Sequence, residues 1–344
     1  MVPYYRSKVT IKDVARACGV STQTISRVLN DRVDVSTATR EKVLAVINEM
    51  GYLPSALARS MRQSTKTIGV IVAGLHFFGI SDTLNGITQA SEARGFSLML
   101  KELASFNSMD IEPLIQSLSS HQVQGIIYAA PEVSDNWKTI LRNLNNRLPP
   151  MVFLKGNPSS APITISLDNY SGAYTVTKHL IEQGYRHIAH ITGPLDWWEA
   201  RERKRGWMDA LRDAGLPVPD TADISGTWAS TSGSVCFEIL LRQYPEMDAV
   251  FVSNDQMALG VLNLAWEKGI NIPDQLGVAG FDDLPESRYF IPPLTTIHQD
   301  LNKLGELAVR KLIAMENPKI KDPEVEGDSI ILPTELRVRR STRR

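Results

Sequence analysis

Cysteine is nearly absent from this chain of 344 residues: Cys18 and Cys236 are the two, far apart in sequence. That excludes a disulfide framework and fits a reducing compartment. Long apolar runs are missing as well. No stretch reaches the ~18 residues of a membrane span, and the opening Met-Val-Pro-Tyr-Tyr-Arg-Ser-Lys has no apolar leader core. The expectation is a cytoplasmic protein without membrane contact. Histidine is scarce at six, with no pair at metal-ligand spacing. His187 and His190 fall in an apolar, strand-like stretch and read as structural. There is no Gly-rich phosphate loop, no nucleophile elbow and no metal cluster. Asp282 and Asp283 are adjacent in sequence, so their carboxylates diverge and do not form an acid/base pair. No cofactor is expected, and an enzyme is the weakest of the function classes.

What is present is unevenly distributed. Residues 1–65 hold ten Lys and Arg against five acids, a net +5, whereas the whole chain is −1. Residues 66–344 therefore carry −6. A basic head on an acidic body suggests a head attracted to phosphate and a body that is not.

Residues 10–30 explain what that head is for. Thr10 can cap a first helix, with Asp13 suited to its positive end and Val14 and Ala15 facing inward. Gly19 stops the helix, Val20 plugs the turn, and Ser21 caps a second helix. There Ile25, Val28 and Leu29 fall at i, i+3 and i+4 and are expected inside. Thr22, Gln23, Ser26 and Arg27 remain on the outer face. A helix offering Gln and Arg from its first turns is what reading base edges in a major groove requires. An ordinary helical hairpin with a solvated face is the alternative. A third helix is expected over Ser36 to Met50, striped by Val43, Val46, Ile47 and Met50 and stopped by Gly51. Pro54 to Arg62 favours a short helix, marginal on its own, and Gln63 to Thr67 reads as a linker.

From Ile68 the character changes to apolar strand runs, each followed by a helix-length segment, as in Gly125-Ile-Ile-Tyr, Met151-Val-Phe-Leu and Ala249-Val-Phe-Val. This alternation predicts an α/β body of two doubly wound parallel-sheet units. Ligands of such sheets bind beyond the carboxyl ends of the strands.

The chain resembles the LacI/GalR family of bacterial transcription regulators. The resemblance rests on Thr10-Ile-Lys-Asp-Val-Ala, Val20-Ser-Thr-Gln-Thr-Ile-Ser-Arg-Val and Pro54-Ser-Ala-Leu-Ala-Arg-Ser in the head. In the body it rests on Gly193-Pro-Leu, Ser253-Asn-Asp-Gln-Met-Ala-Leu-Gly260, Gly280-Phe-Asp-Asp283 and Pro293-Leu-Thr-Thr-Ile-His-Gln-Asp300. It implies a helix-turn-helix head over 1–55, a hinge helix and linker over 56–67, and an effector-binding core of the periplasmic-binding-protein type over 68–344. One subdomain would comprise about 68–167 and 300–325, the other about 168–299 and 326–340. It also implies a repressor on pseudo-palindromic double-stranded operator DNA, controlled by a small molecule in the interdomain cleft. No leucine heptads precede the basic end at Arg344, so a homodimer is expected.

Carried over residue by residue, Thr22, Gln23 and Arg27 match base-reading positions, and Thr10 and Asn30 match phosphate contacts. Ala58 and Met61 lie in the hinge helix, with Met61 where the family usually places a leucine wedge for the minor groove. Arg203, Trp228, Asn254, Asp282 and Gln299 match positions that hold the effector in sugar-responsive members, and Phe77 and Ile80 match its apolar wall. Asp282 as a helix cap and Trp228 as domain core are the alternatives; capping is favoured for Asp255.

The pattern is departed from at two positions. Lys155 stands where relatives carry an aspartate, and Glu199 replaces a small polar residue. Lys155 could pair with Glu199 or Asp168 beside a neutral sugar, or bind an acidic ligand itself. Trp197 and Trp198 could form a stacking platform or simply rim the cleft. The expected order of effectors is neutral sugar or oligosaccharide, then sugar acid or phosphate, then nucleobase. A transport-type sugar-binding protein is the competing class, disfavoured by the basic head.

Overall fold

The computed structural model describes residues 9–29, 32, 34–52, 66–106, 111–134, 136–143, 149–317 and 319–343. The hinge helix, with Ala58 and Met61, and the phosphate-contact candidate Asn30 lie outside the described residues. The chain divides into a head, Met1–Lys66, and a body, Thr67–Arg344.

The head holds three helices: α1 (Ile11–Cys18), α2 (Thr22–Leu29) and α3 (Thr37–Met50). Gly19 and Gly51 end α1 and α3 in the left-handed conformation, at φ 64° and 61°, which glycine adopts without steric cost. Val14, Cys18, Ile25, Val28 and Val43 close a small core. Leu29 only partly joins it.

The body has two lobes. In chain order the first contains β1 (Thr67–Val72), α4 (Phe78–Glu92), β2 (Ser97–Glu102), α5 (Glu112–Ser120), β3 (Gly125–Tyr128), α6 (Asn136–Asn143), β4 (Met151–Leu154) and β5 (Thr164–Leu167). The second contains α7 (Asn169–Glu182), β6 (Ile188–Thr192), α8 (Trp198–Asp213), β7 (Asp223–Ser225), α9 (Ser230–Gln243), β8 (Ala249–Val252), α10 (Asp255–Glu267), β9 (Gly277–Ala279) and β10 (Thr296–His298). Then α11 (Leu301–Glu316) returns to the first lobe and packs on α4, where an added Cβ on Gly86 would stand 2.1 Å from the Asn302 carbonyl oxygen. Finally come β11 (Ser329–Leu332) and β12 (Glu335–Arg337).

The first sheet runs β11-β5-β4-β3-β1-β2 and the second β7-β6-β8-β9, both parallel throughout. Both faces of the first are covered. Ile68, Val70, Val72, Ile127 and Leu154 face the α4/α11 core, while Ile71, Ile126, Tyr128 and Phe153 face Trp137 and Ile115. In the second, His190 lies in the core, stacked 4.5 Å from the Phe251 ring and donating through Nδ1 to the Phe251 carbonyl. Burial holds it neutral, with its pKa pushed down to about 3.

One expected boundary is corrected. Residues 326–340 were assigned to the second lobe, yet β11 pairs with β5 in the first. Its Ile330 and Leu332 supply apolar side chains that complete that lobe's core. The chain returns to the second lobe at β12, which pairs antiparallel with β10, and stays there through Arg339 and Ser341, bonded to Asp283 and to the Val278 carbonyl.

Candidate functional site

In the head, Thr10 donates to Asp13 Oδ2 through its backbone N–H at 2.9 Å and its hydroxyl at 2.6 Å. These bonds hold the Asp13 carboxyl below its usual range. Ser21 Oγ accepts from the Thr24 N–H at 3.0 Å and so starts α2. With Ile25 and Val28 turned inward, Thr22, Gln23 and Arg27 are exposed on one surface of α2; Ser26 is half-buried rather than exposed. Arg27 leans towards Asp34 at 3.5 Å, both side chains about half exposed, and a surface pair of that kind contributes little and yields readily to a phosphate or a guanine edge.

In the body, all nine candidate effector residues line one cleft between the lobes. Each follows the carboxyl end of a strand. Phe77 and Ile80 follow β1, Lys155 follows β4, and Glu199 and Arg203 follow β6. Trp228, Asn254 and Asp282 come after β7, β8 and β9, and Gln299 after β10. Phe78, Gly79, Trp197, Gln256 and Leu301 also line the cleft. Four of these were not singled out from the sequence, although each lies within two residues of one that was.

The polar floor is built on Arg203, which is 4% exposed. Its Nε donates to Asn169 Oδ1 at 2.8 Å, an NH1 bond reaches the Ser253 carbonyl, and the same NH1 stands 3.5 Å from Asp282 Oδ1. The guanidinium lies over the Phe281 ring at 3.9 Å and 5.6 Å from the Trp228 centroid. Burial raises the Asp282 pKa to about 6 despite Arg203. Gln299 donates to Asp282 Oδ1 at 2.6 Å through Nε2, leaving Gln299 Oε1 buried without a partner among the described residues. Trp228 Nε1 is equally unpartnered. The site therefore holds one acceptor and one donor that folding leaves unused, and such groups are costly unless something completes them.

Lys155 is 4% exposed and donates to the Gly79 carbonyl. Burial lowers its pKa, while Glu199 and Asp282 oppose that effect. Of its two expected partners, Glu199 shares the cleft. Asp168 does not: it caps α7, accepting from the Ser171 N–H at 2.9 Å. The expectation for Asp255 also fails. Asn254 is the cap of α10, accepting from the Met257 N–H, whereas the buried Asp255 carboxylate turns away and accepts from Thr296 Oγ1 at 2.6 Å and the Leu284 N–H at 2.9 Å. Asp283 points away from Asp282 to Arg339, at 2.6 Å, so the two carboxylates diverge as expected.

Lys155, Trp228 and Asp282 have φ of 66°, 71° and 110°. These conformations are unfavourable for side chains with a Cβ, and such strain gathers at ligand-holding sites.

Comparison with known proteins agrees with both halves. Residues 10–55 match the family described as bacterial regulatory proteins, lacI family, and residues 177–342 match the periplasmic binding protein-like domain. The chain is 32% identical over 338 residues to the HTH-type transcriptional repressor PurR of Mannheimia succiniciproducens, covering 97% of this chain and 99% of that protein. It is 34% identical over 336 residues to the PurR of Haemophilus influenzae, covering 97% and 98%. Among solved structures, the lac repressor dimer bound to operator and the anti-inducer ONPF matches with a TM-score of 0.84 at 30% identity, over 98% of this chain and all of that one. The transcriptional regulator CelR in complex with cellobiose matches with a TM-score of 0.71 at 29% identity, over 97% and 99%. The matches run through head and body alike, and the chain belongs to the LacI family of bacterial regulatory proteins: it is a DNA-binding transcriptional regulator and not an enzyme.

Proposed function

We propose that this regulator is a repressor whose operator affinity is set by a neutral sugar held in the cleft. The observation that carries the reading is the balance of charge there. Two cations, Lys155 and Arg203, face two anions, Glu199 and Asp282, and each cation already has partners. An acidic ligand would have to break that balance, since Lys155 is engaged with the Gly79 carbonyl. A polyol does not. Its hydroxyls can donate to Asp282 and Gln299 Oε1 and accept from Arg203, while Trp228 offers an apolar face to a pyranose. The CelR relative, solved with cellobiose, is consistent with this chemistry. A nucleobase is the second reading, favoured by aromatic rings on both walls, Phe77 and Trp228, and by the PurR relatives.

On DNA, Arg27, Gln23 and Thr22 read base edges, and Thr10 contacts phosphate. A homodimer suits the closely packed α9 and α10, which leave Val235, Ile239, Leu259 and Trp266 to solvent, Trp266 at 78%. The test is a thermal-shift screen of the full chain against neutral sugars, sugar acids, sugar phosphates and nucleobases, followed by operator binding with each hit. A ligand at ~100 times its Kd adds about 2.7 kcal/mol. Hits confined to nucleobases or to acidic ligands would replace the neutral-sugar reading.

A further inference from the structure

Trp197 is held across the cleft by its backbone as well as its ring. It precedes α8 in the second lobe, yet it forms a β-bridge with Val133 of the first. On either side, the Ser134 N–H donates to the Asp196 carbonyl at 2.7 Å and the Trp198 N–H to the Glu132 carbonyl at 3.1 Å. The first-lobe strap is itself anchored. The buried Glu132 carboxylate accepts from the Asn157 N–H and Ser160 Oγ, both at 2.6 Å, and Asn136 Oδ1 accepts from the Val133 N–H.

The Trp197 ring stands edgewise between two others. Its centroid is 5.5 Å from Trp228 on the cleft wall and 4.6 Å from Phe106 of the first lobe. Phe106 continues to Phe77 at 5.5 Å, and Phe77 to the exposed His76 at 4.2 Å. Phe106 reaches this place because Gly74 has no side chain: a Cβ there would stand 2.4 Å from Phe106 Cζ. The rings run unbroken from the polar floor, across the lobe junction, to solvent. A ring wedged on both sides is a wall, not an open stacking platform.

We infer that Trp197 and Phe106 form an aromatic gate that closes the cleft over a single sugar ring and excludes disaccharides. This rests on the neutral-sugar reading and adds the ligand's size. Trp197 is the specificity-determining residue; Phe106, outside the cleft lining, positions it. The wall cannot swing aside alone, because its backbone is bonded to the opposite lobe.

The test is isothermal titration of the full chain with D-glucose, D-galactose and D-mannose, and with maltose, cellobiose, lactose and mannobiose. Wild type should bind one monosaccharide at least ~10-fold tighter than any disaccharide containing it. Trp197→Ala should bring that ratio to within about threefold, chiefly by tighter disaccharide binding. Phe106→Ala, which leaves the β-bridge intact, should move the ratio the same way and guards against a misfolded Trp197 variant. Wild-type protein that binds a disaccharide as tightly as its component sugar overturns the gate while leaving the sugar reading standing. So does an unchanged ratio in both variants. Silence towards all seven sugars in all three proteins removes the sugar reading and the gate with it.

Discussion

Arg27 in the head and Arg203 in the body carry the same guanidinium to opposite ends. Arg27 stands on an exposed helix face beside Asp34 at 3.5 Å, its side chain 50% exposed. Arg203 is enclosed, bonded to Asn169 and Ser253, close to Asp282 and stacked on Phe281. A side chain that reads a surface has to be free to meet it. One that recognises a small molecule has to be fixed beforehand, so that the ligand does not bear the ordering cost. The head is a display, the cleft a mould.

The largest effect that would break this comparison comes from Arg203→Ala. Removing one partner of a buried pair strands the other, at a cost of about 3–5 kcal/mol. The melting temperature of the body should fall and effector binding should be lost, as read by calorimetry and titration. An unaltered melting temperature would mean that Arg203 is not the keystone of the floor. Arg27→Ala should do the reverse, costing about 1–3 kcal/mol of operator discrimination and leaving the melting temperature in place. If the ranking of single-base operator variants survives, α2 is not read through Arg27.

Protonation sharpens the contrast further. The Asp282 pKa is raised from 3.8 to about 6 by burial, so the unliganded fold takes up a proton that the unfolded chain does not. Its contribution to stability therefore diminishes as pH rises from 3.8 to about 6. A ligand that donates hydroxyls to the carboxylate favours the ionised form. Effector affinity should thus weaken below about pH 6, approaching tenfold per pH unit, and Asp282→Asn should flatten the profile. Operator contacts by Arg27 involve no such group. The smallest expected effect is that of Lys12→Ala, which should weaken all DNA sequences alike and lower the salt slope by about one.

Among the described residues, the three helices of the head were legible because their signals are local. The Thr10–Asp13 box, Ser21 and Ser36 as caps, and Gly19 and Gly51 as stops all act within a few residues of where they stand. The cleft was not legible in that way. Its residues come from segments between 77 and 301, and periodicity places strands without saying which loops meet; the family resemblance supplied that. The misreading of Asp255 has the same origin. Asn254 and Asp255 are both good cap formers, and the partner that decides between them, Thr296, is 41 residues away. The Ser329–Leu332 strand was not read from the sequence, and nothing near it names its sheet. Gln256 stands inside the Ser253–Gly260 block and Leu301 just beyond the Pro293–Asp300 block, but neither matches a position that the resemblance assigns to the effector, so both were missed.

The three chain crossings between the lobes have one more consequence. The chain passes from β5 to α7, from β10 to α11 and from β11 to β12, and the first and last are tied where the Asp168 N–H donates to the Leu332 carbonyl at 2.9 Å and Thr334 Oγ1 to the Asp168 carbonyl at 3.3 Å. Three strips joining two bodies, two of them fastened together, act as a flexure: they bend more readily than they slide or twist. Gln299, which touches Asp282 in the cleft, sits in the strip between β10 and α11. A ligand that drew the lobes together would then register as a change in one angle, a single variable rather than many.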